Sequence, residues 1–354
     1  MRGRSEIGGR LALAALTTAV SLSLVEGFLR VSGLGTALPA PRHANQPRMM
    51  QPDDLLGWKP KAGTYELPGF TPLPDGSPAP MIHVTFTEDL RRSTGPPVEG
   101  KRGAIVLVGC SYTMGYGISD DETFGWKLQQ AMRRPVYNYG VGGYGTYQSY
   151  LRLESVLAEL ETPPSVVVYG FAGFHATRNA APVHWLKDLS GSGSGEPVAL
   201  PYATLARDGS LIDHEPAVFP AGLSEHPLRL YRLVREAALG LAAWPRWWER
   251  IDTTIAVIRA MERLSREHGT RLVVVDLDTP KPKNARRYAD FVAESGIPWV
   301  SCEVPDDPMY QIEDGHPNGL ANTGYAGCIA AFLDTLEDRQ TPAPQPEEGR
   351  TYEK

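Results

Sequence analysis

Five short apolar runs constrain the fold of this chain more than any other feature. None of them alternates apolar with polar residues, which is typical of strands buried on both faces of a sheet. The runs occupy residues 104–108, 136–139, 166–169, 272–275 and 297–300. Segments with helical spacing separate them, such as Leu153, Val156 and Leu157. This order predicts an α/β fold with a parallel sheet, helices on both faces and functional groups at the carboxyl ends of the strands.

The amino terminus predicts a membrane segment. Arg2, Arg4 and Arg10 precede an apolar stretch whose first charge is Glu26, and residues 11–29 would form a helix of about 28 Å, close to the hydrocarbon thickness of a bilayer. The positive charges favour an uncleaved signal anchor with the rest of the chain outside the cytoplasm. A cleaved signal peptide with a small-residue site at 35–37 is the alternative, which would release a secreted protein. A buried amphipathic helix is the third interpretation.

The remaining chain divides by composition. We expect a linker and small irregular cap over 36–102, with one alternating strand at 81–86, then the α/β domain over 103–338 and a disordered tail over 339–354. A long insertion over about 178–250 interrupts the domain. It contains Trp244, Trp247 and Trp248. We expect these side chains to pack within the insertion, and a sugar-stacking platform or a membrane-interface position are the alternatives.

Charge and cysteine content exclude several classes of protein. The net charge of −6 gives no positive field for a nucleic acid, so none is expected as a partner. Three separated cysteines without a CxxC pair argue against a zinc site and allow one disulfide at most. Asp276 and Asp278 end the fourth run, but no His or Cys spacing turns them into a metal site. We expect neither a metal nor a cofactor.

A serine follows the first strand directly. In the stretch 109–115, Ser111 stands on the turn into the next helix, where backbone N–H groups are available beside it. Such a position suits a nucleophile that forms a tetrahedral intermediate. A plain helix N-cap is the structural alternative. Cys110 would point to the other side of the turn.

A glycine-rich turn follows the second strand. Gly140, Gly142 and Gly145 satisfy GxGxxG, but a dinucleotide site also needs an acidic residue at the end of the next strand, which reads Tyr169-Gly170-Phe171. The glycines are therefore interpreted as allowing the backbone to approach a substrate oxyanion.

A loop near the carboxyl end carries Glu313, Asp314 and His316 before a helix of small residues over 321–336. An acid close to a histidine can orient the imidazole while its other nitrogen takes a proton from the serine. An isolated loop histidine is more often only solvated. The catalytic interpretation of His316 is favoured because the serine turn, the glycine turn and the His316 loop would meet at one edge of the sheet.

The stretch 109–113, Asn138 with Gly143, and the stretch 314–318 together resemble the SGNH (GDSL-like) hydrolases, in order and over residues 104–336. The resemblance implies a three-layer α/β/α flavodoxin-like domain and ester hydrolysis or acyl transfer without a metal. It implies Ser111 as nucleophile and His316 as base, with the backbone N–H groups of Ser111 and Gly143 in the oxyanion hole.

The chain departs from the family pattern at three places. Cys110 replaces the aspartate of GDS. The Gly-x-Asn-Asp block is absent, and His175 or Asn179 are the candidates for its oxyanion donor. The family acid usually stands three residues before the histidine, where this chain has Glu313, whereas Asp314 stands two before. We predict Asp314 as the acid, with Glu313 as the alternative.

The anchor and the stretch 54–58 resemble a membrane-tethered branch of the family that is associated with cell-envelope carbohydrate. The sequence therefore predicts an extracytoplasmic, membrane-anchored esterase or O-acyltransferase for an acyl ester of an envelope or exported carbohydrate. The alternative is a catalytically inactive SGNH-like protein that binds carbohydrate or assists polysaccharide assembly.

Overall fold

A computed structural model describes residues 2–35, 49–70, 77, 79–100, 102–191, 198–278 and 282–338. The helices are α1 (Arg2–Ser32), α2 (Ser111–Met114), α3 (Phe124–Met132), α4 (Thr146–Glu159), α5 (His175–Asn179), α6 (Val183–Gly191), α7 (Arg229–Glu267), α8 (Pro282–Ser295) and α9 (Gly319–Asp338). The strands are β1 (Met50–Asp53), β2 (Gly57–Pro60), β3 (Gly63–Pro68), β4 (Met81–Phe86), β5 (Ile105–Gly109), β6 (Val136–Asn138), β7 (Val166–Ala172), β8 (Ala199–Leu205), β9 (Leu211–Val218), β10 (Arg271–Asp278) and β11 (Trp299–Ser301).

The five apolar runs form one parallel sheet in the order β11-β10-β7-β5-β6. Counted along the chain this is the order 2-1-3-4-5 of flavodoxin-like folds, whose ligands bind at the carboxyl edge where the winding reverses. The reversal lies between β5 and β7, which pair from Ile105 with Val166 to Gly109 with Gly170. The predicted fold class, a three-layer α/β/α flavodoxin-like domain, is confirmed.

Alternate residues of each strand face opposite helical layers. Ile105 and Leu107 of β5 belong to a buried cluster with Leu128 of α3 and Tyr325 of α9. On the other face, Phe171 of β7 contacts the ring of Tyr288 in α8 at 5.0 Å between centroids. The burial of every residue of β5 and β7 explains why these runs do not alternate.

The chain forms two compact units, which we call the N-terminal unit (Met1–Lys59 and Ala176–Val257) and the sheet unit (Pro60–His175 and Ile258–Lys354). Within the N-terminal unit, β8 and β9 form an antiparallel hairpin. The stretch 54–58 joins β1 to β2, and Gly57 has φ +81° with the backbone of Ala199 too close for a Cβ atom. A glycine is therefore required at this turn.

One expectation about the insertion needs correction. Its last part forms the long helix α7, which runs from Arg229 to Glu267 and contains Pro245. Trp244 and Trp248 are 57% and 60% exposed, so the packing expected for them is wrong.

Several predicted segments lie partly or wholly outside the described residues. They are the tail over 339–354 and parts of the linker (36–48), the cap (71–76) and the glycine-serine run (192–197). Within the described chain, one helix, Ile7–Ser32, is long and apolar enough to cross a membrane. Cys302, which directly follows β11, forms a disulfide with Cys328 of α9, and Cys110 is buried and not part of a disulfide.

Candidate active site

Ser111 lies at the carboxyl end of β5 and begins the short helix α2. Gly109 precedes it with φ +155°, and a Cβ atom there would lie 2.2 Å from the hydroxyl of Thr113. Any side chain at position 109 would overlap Thr113, so the turn out of the strand requires glycine there. Ser111 is largely buried and points its hydroxyl to a histidine of the loop described next.

His316 is held by a tight loop between β11 and α9. The amide of Ile312 donates to the carbonyl of His316 at 2.8 Å, and Gly315 takes the turn with φ +88°. Asn318 accepts hydrogen bonds from the amides of Leu320 and Ala321, and so caps the first turn of α9. The residues after the histidine therefore have a local structural role.

The structure brings Ser111, His316 and Asp314 into one chain of hydrogen bonds. Nε2 of His316 lies 3.0 Å from Oγ of Ser111. Nδ1 of His316 lies 2.9 Å from Oδ1 of Asp314. An imidazole between a hydroxyl and a carboxylate can take the hydroxyl proton while the carboxylate stabilises the resulting charge.

The two neighbouring acids differ in their contacts. Oδ1 of Asp314 accepts both the imidazole and the backbone N–H of His316, the latter at 3.1 Å. Glu313 is exposed and makes no hydrogen bond or ion pair with any residue that the structure describes. The geometry therefore favours Asp314 as the partner of the imidazole.

The glycine turn after β6 is built against α2. Asn138 donates its side-chain amide to the carbonyl of Thr113 at 2.7 Å and accepts the amide of Gly140 at 3.0 Å. A Cβ atom on Gly140 would lie 2.6 Å from the backbone nitrogen of Met114. Gly140 thus allows contact with the helix that carries the serine, rather than with a ligand.

The candidates for the oxyanion hole divide into backbone and side-chain groups. Among the described residues, no group accepts a hydrogen bond from the amide of Ser111 or of Gly143, which has φ +86°. His175 is fully buried, with Nδ1 2.8 Å from the hydroxyl of Tyr169. Asn179 belongs to the N-terminal unit and donates its side-chain amide to Thr254 at 2.8 Å. The backbone amides are therefore the better candidates.

Two tyrosines beside the serine were not anticipated. The ring of Tyr116 lies 4.5 Å from that of His316, and the ring of Tyr112 lies 5.7 Å from it, between centroids. Burial, with the charge of Asp314, raises the pKa of Tyr116 to about 12, so its phenol stays neutral at physiological pH. Both rings pack against the imidazole and so restrict its motion. The separation of four residues between Tyr112 and Tyr116 was the sequence feature that could have indicated two neighbouring rings beside the serine.

No sequence pattern singled out Arg92, which also supports the site. Its side chain is fully buried and donates to Asp120 at 2.7 Å and to the carbonyl of Ile118 at 2.8 Å. Its amide donates to the carbonyl of Asn138. Arg92 therefore ties the segment that follows α2 to the end of β6, and a lone arginine in a Pro-rich segment gave no signal of this.

Asp276 is buried at the carboxyl end of β10. Burial, with the charges of Glu303 and Asp278, raises its pKa to about 7, although the amide of Asp278 donates to it at 3.3 Å and acts in the opposite direction. Across the described residues, no group of three or more His, Cys, Asp or Glu side chains is arranged to hold a metal ion.

Comparisons with known proteins give structural likenesses only. No protein-family model matches the chain, and no curated protein matches its sequence. Among solved structures, a member of the lipolytic protein G-D-S-L family from Veillonella parvula aligns at 9% identity and TM-score 0.37, over 67% of this chain and 98% of its own. A family two carbohydrate esterase from Cellvibrio japonicus aligns at 12% identity and TM-score 0.37, over 73% of this chain and 71% of its own. A family 3 carbohydrate esterase from Clostridium thermocellum aligns at 14% identity and TM-score 0.36, over 68% of this chain and 99% of its own. At these values neither reaction nor substrate transfers from those proteins to this chain.

Proposed function

We propose that the protein is a serine esterase or O-acyltransferase with Ser111 as nucleophile, His316 as general base and Asp314 as the orienting acid. The observation that carries the proposal is the hydrogen-bond chain through the imidazole, 3.0 Å on the serine side and 2.9 Å on the acid side. The resemblance of the three turns to the SGNH hydrolases supports the same roles.

The chemistry follows from these contacts. His316 takes the hydroxyl proton as Oγ of Ser111 attacks the ester carbonyl, and the tetrahedral intermediate places negative charge on the former carbonyl oxygen. His316 then protonates the departing alcohol, which leaves an acyl group on Ser111. Water or a sugar hydroxyl removes that acyl group with the same histidine as base, which gives hydrolysis or transfer.

The backbone amides of Ser111 and Gly143 are proposed to bind the oxyanion. Both are unused as donors among the described residues, so neither must give up an existing hydrogen bond when the charge develops. Fixed donors of this kind contribute about 3 to 4 kcal/mol each in well-studied acyl-transfer enzymes. His175 is the proposed source of a third donor.

We also propose that α1 anchors the protein and that the sheet unit lies outside the cytoplasm. The arginines before the apolar stretch of α1 support this orientation. The disulfide between Cys302 and Cys328 supports it independently, because disulfides persist in oxidising compartments. Cleavage after α1 would give a secreted form of the same enzyme.

The proposed substrate is an acyl ester of an envelope or exported carbohydrate. Support comes from the resemblance of the anchor and of the stretch 54–58 to a membrane-tethered branch of the family. In the structure, Gly57 of this segment lies against the backbone of Ala199, so the segment has a structural role in the N-terminal unit.

A second candidate is a catalytically inactive protein that binds carbohydrate or assists polysaccharide assembly. The observation in its favour is the missing Gly-x-Asn-Asp block, where His175 is instead buried against Tyr169. Such a protein would keep the fold and bind sugar without turning over an ester.

Turnover of a chromogenic acetyl ester by the purified full chain separates the two candidates. Ser111→Ala should reduce kcat by about 10⁶-fold without changing the melting temperature, because the hydroxyl contributes reactivity and little packing. Cys110→Ala is the matched control, since the buried thiol is adjacent in sequence, and it should retain wild-type turnover. No turnover by the wild type would favour the binding protein, and an inactive but folded Cys110→Ala would move the nucleophile to the thiol.

A further inference from the structure

The first half of α7 exposes a continuous apolar face. Val234, Leu241, Trp244 and Trp248 are separated by seven, three and four residues, so they lie on one side of the helix. Between 57% and 74% of each side chain is exposed. Trp244 and Trp248 also contact each other, with 5.5 Å between ring centroids. We call these four residues the α7 face.

Charge is confined to the borders of this face. Among the exposed residues of 229–250, only Arg235 and Glu249 carry a charge. The whole segment has five arginines and two glutamates. A wide apolar stripe with aromatic residues and an arginine excess beside it is typical of helices that lie in a membrane interface.

The start of α7 is joined to the end of α1 within the N-terminal unit. The carboxylate of Glu26 accepts the amides of Arg229 at 3.1 Å and Leu230 at 2.9 Å, which caps the first turn of α7. The guanidinium of Arg229 donates to the carbonyl of Leu29 at 2.8 Å, and that of Arg30 donates to the carbonyl of Pro227 at 2.6 Å. These contacts also explain why the carboxylate of Glu26 stands near the end of the apolar stretch of α1.

We propose that the α7 face lies in the surface of the bilayer that α1 crosses, with its apolar side chains at the boundary between headgroups and acyl chains. The inference rests on the proposed anchoring by α1. If α1 spans the bilayer, its last turns leave the hydrocarbon where α7 begins, so the α7 face starts at headgroup depth. Tryptophan favours that depth because its ring is apolar and its N–H remains hydrogen-bonded to water or headgroups.

Tryptophan quenching in vesicles tests the position of the face. The full chain is reconstituted into phosphatidylcholine vesicles with and without bromine on the acyl chains, and tryptophan emission is compared. Brominated lipid should quench the wild type, and the double variant Trp244→Phe, Trp248→Phe should lose most of that quenching. Trp247→Phe is the matched control. Trp247 is adjacent in sequence but half-buried, with the guanidinium of Arg250 4.2 Å from its ring, so its removal should leave the quenching unchanged.

Flotation of the vesicles after alkaline carbonate separates this inference from the anchoring by α1. If wild-type chains float but are quenched no more than the double variant, the anchoring by α1 stands and the placement of the α7 face in the bilayer surface is wrong. Chains that do not float would overturn both. A second copy of the chain as the occupant is tested with Leu241→Cys, since Cys110 is buried and the other two cysteines are bonded. Disulfide-linked dimers of Leu241→Cys in dilute vesicles would overturn the bilayer as the partner.

Discussion

Replacement of Asp314 by asparagine removes one charge and little else. The amide oxygen of asparagine can still accept the backbone N–H of His316, which Asp314 accepts at 3.1 Å, so the loop keeps its turn. The neutral oxygen cannot stabilise an imidazolium, and an amide turned the other way presents NH₂ to Nδ1. That second arrangement favours the tautomer in which Nε2 carries a proton and cannot act as base toward Ser111.

The expected loss can be estimated from the geometry. Asp314 and His316 have side chains that are 35% and 26% exposed, so the carboxylate acts on the imidazolium through partly solvated surroundings. At an effective dielectric constant of about 20, opposite charges about 4 Å apart attract by about 4 kcal/mol, which corresponds to about 10³ in rate. Fully buried triads lose about 10⁴ for the same change. We therefore expect Asp314→Asn to lower kcat/KM by about 10³-fold.

The assay is turnover of a chromogenic acetyl ester together with a melting curve. Glu313→Gln is the matched control, because Glu313 is adjacent and exposed, and it should retain wild-type kcat/KM. The free energy of unfolding of both variants should lie within about 1 kcal/mol of the wild-type value. An active Asp314→Asn beside an impaired Glu313→Gln would refute the reasoning and assign the acid to the position three residues before the histidine.

Two further predictions concern stability. Because the pKa of Asp276 is raised to about 7 from an ordinary 3.8, the folded state holds a proton more tightly than the unfolded state. The wild type should therefore lose up to about 4 kcal/mol as pH rises from 4 through 7, and Asp276→Asn should melt like the wild type at pH 4 and above it at pH 8; equal melting at both pH values would contradict this. Arg92→Gln should lower the free energy of unfolding by about 3 to 5 kcal/mol in a denaturant titration, because it leaves Asp120 without its buried partner. Arg102→Gln removes an exposed pair with Glu337 and should cost at most about 1 kcal/mol, so similar losses for both variants would count against the role of Arg92.

The sequence by itself determined the sheet and the turns that leave it. Buried parallel strands must be apolar on both faces, so the runs around Ile105 and Val168 could be recognised without any knowledge of their neighbours. Ser111 and His316 could be proposed in the same way, because residues that follow parallel strands meet at one edge of the sheet. The local sequence was sufficient to predict the role of a residue where that role depends only on the strand or turn to which it belongs.

The tertiary structure decided which side chains touch. Asp314 and Glu313 both carry a carboxylate and both stand close to His316 in the sequence. The path of the loop directs Oδ1 of Asp314 to the imidazole. Tyr116 and Arg92 contact groups that are distant in sequence, and Trp248 is exposed although its neighbour Trp247 is half-buried. Contacts and exposure depend on the packing of separate elements, and no local pattern of residues encodes that packing.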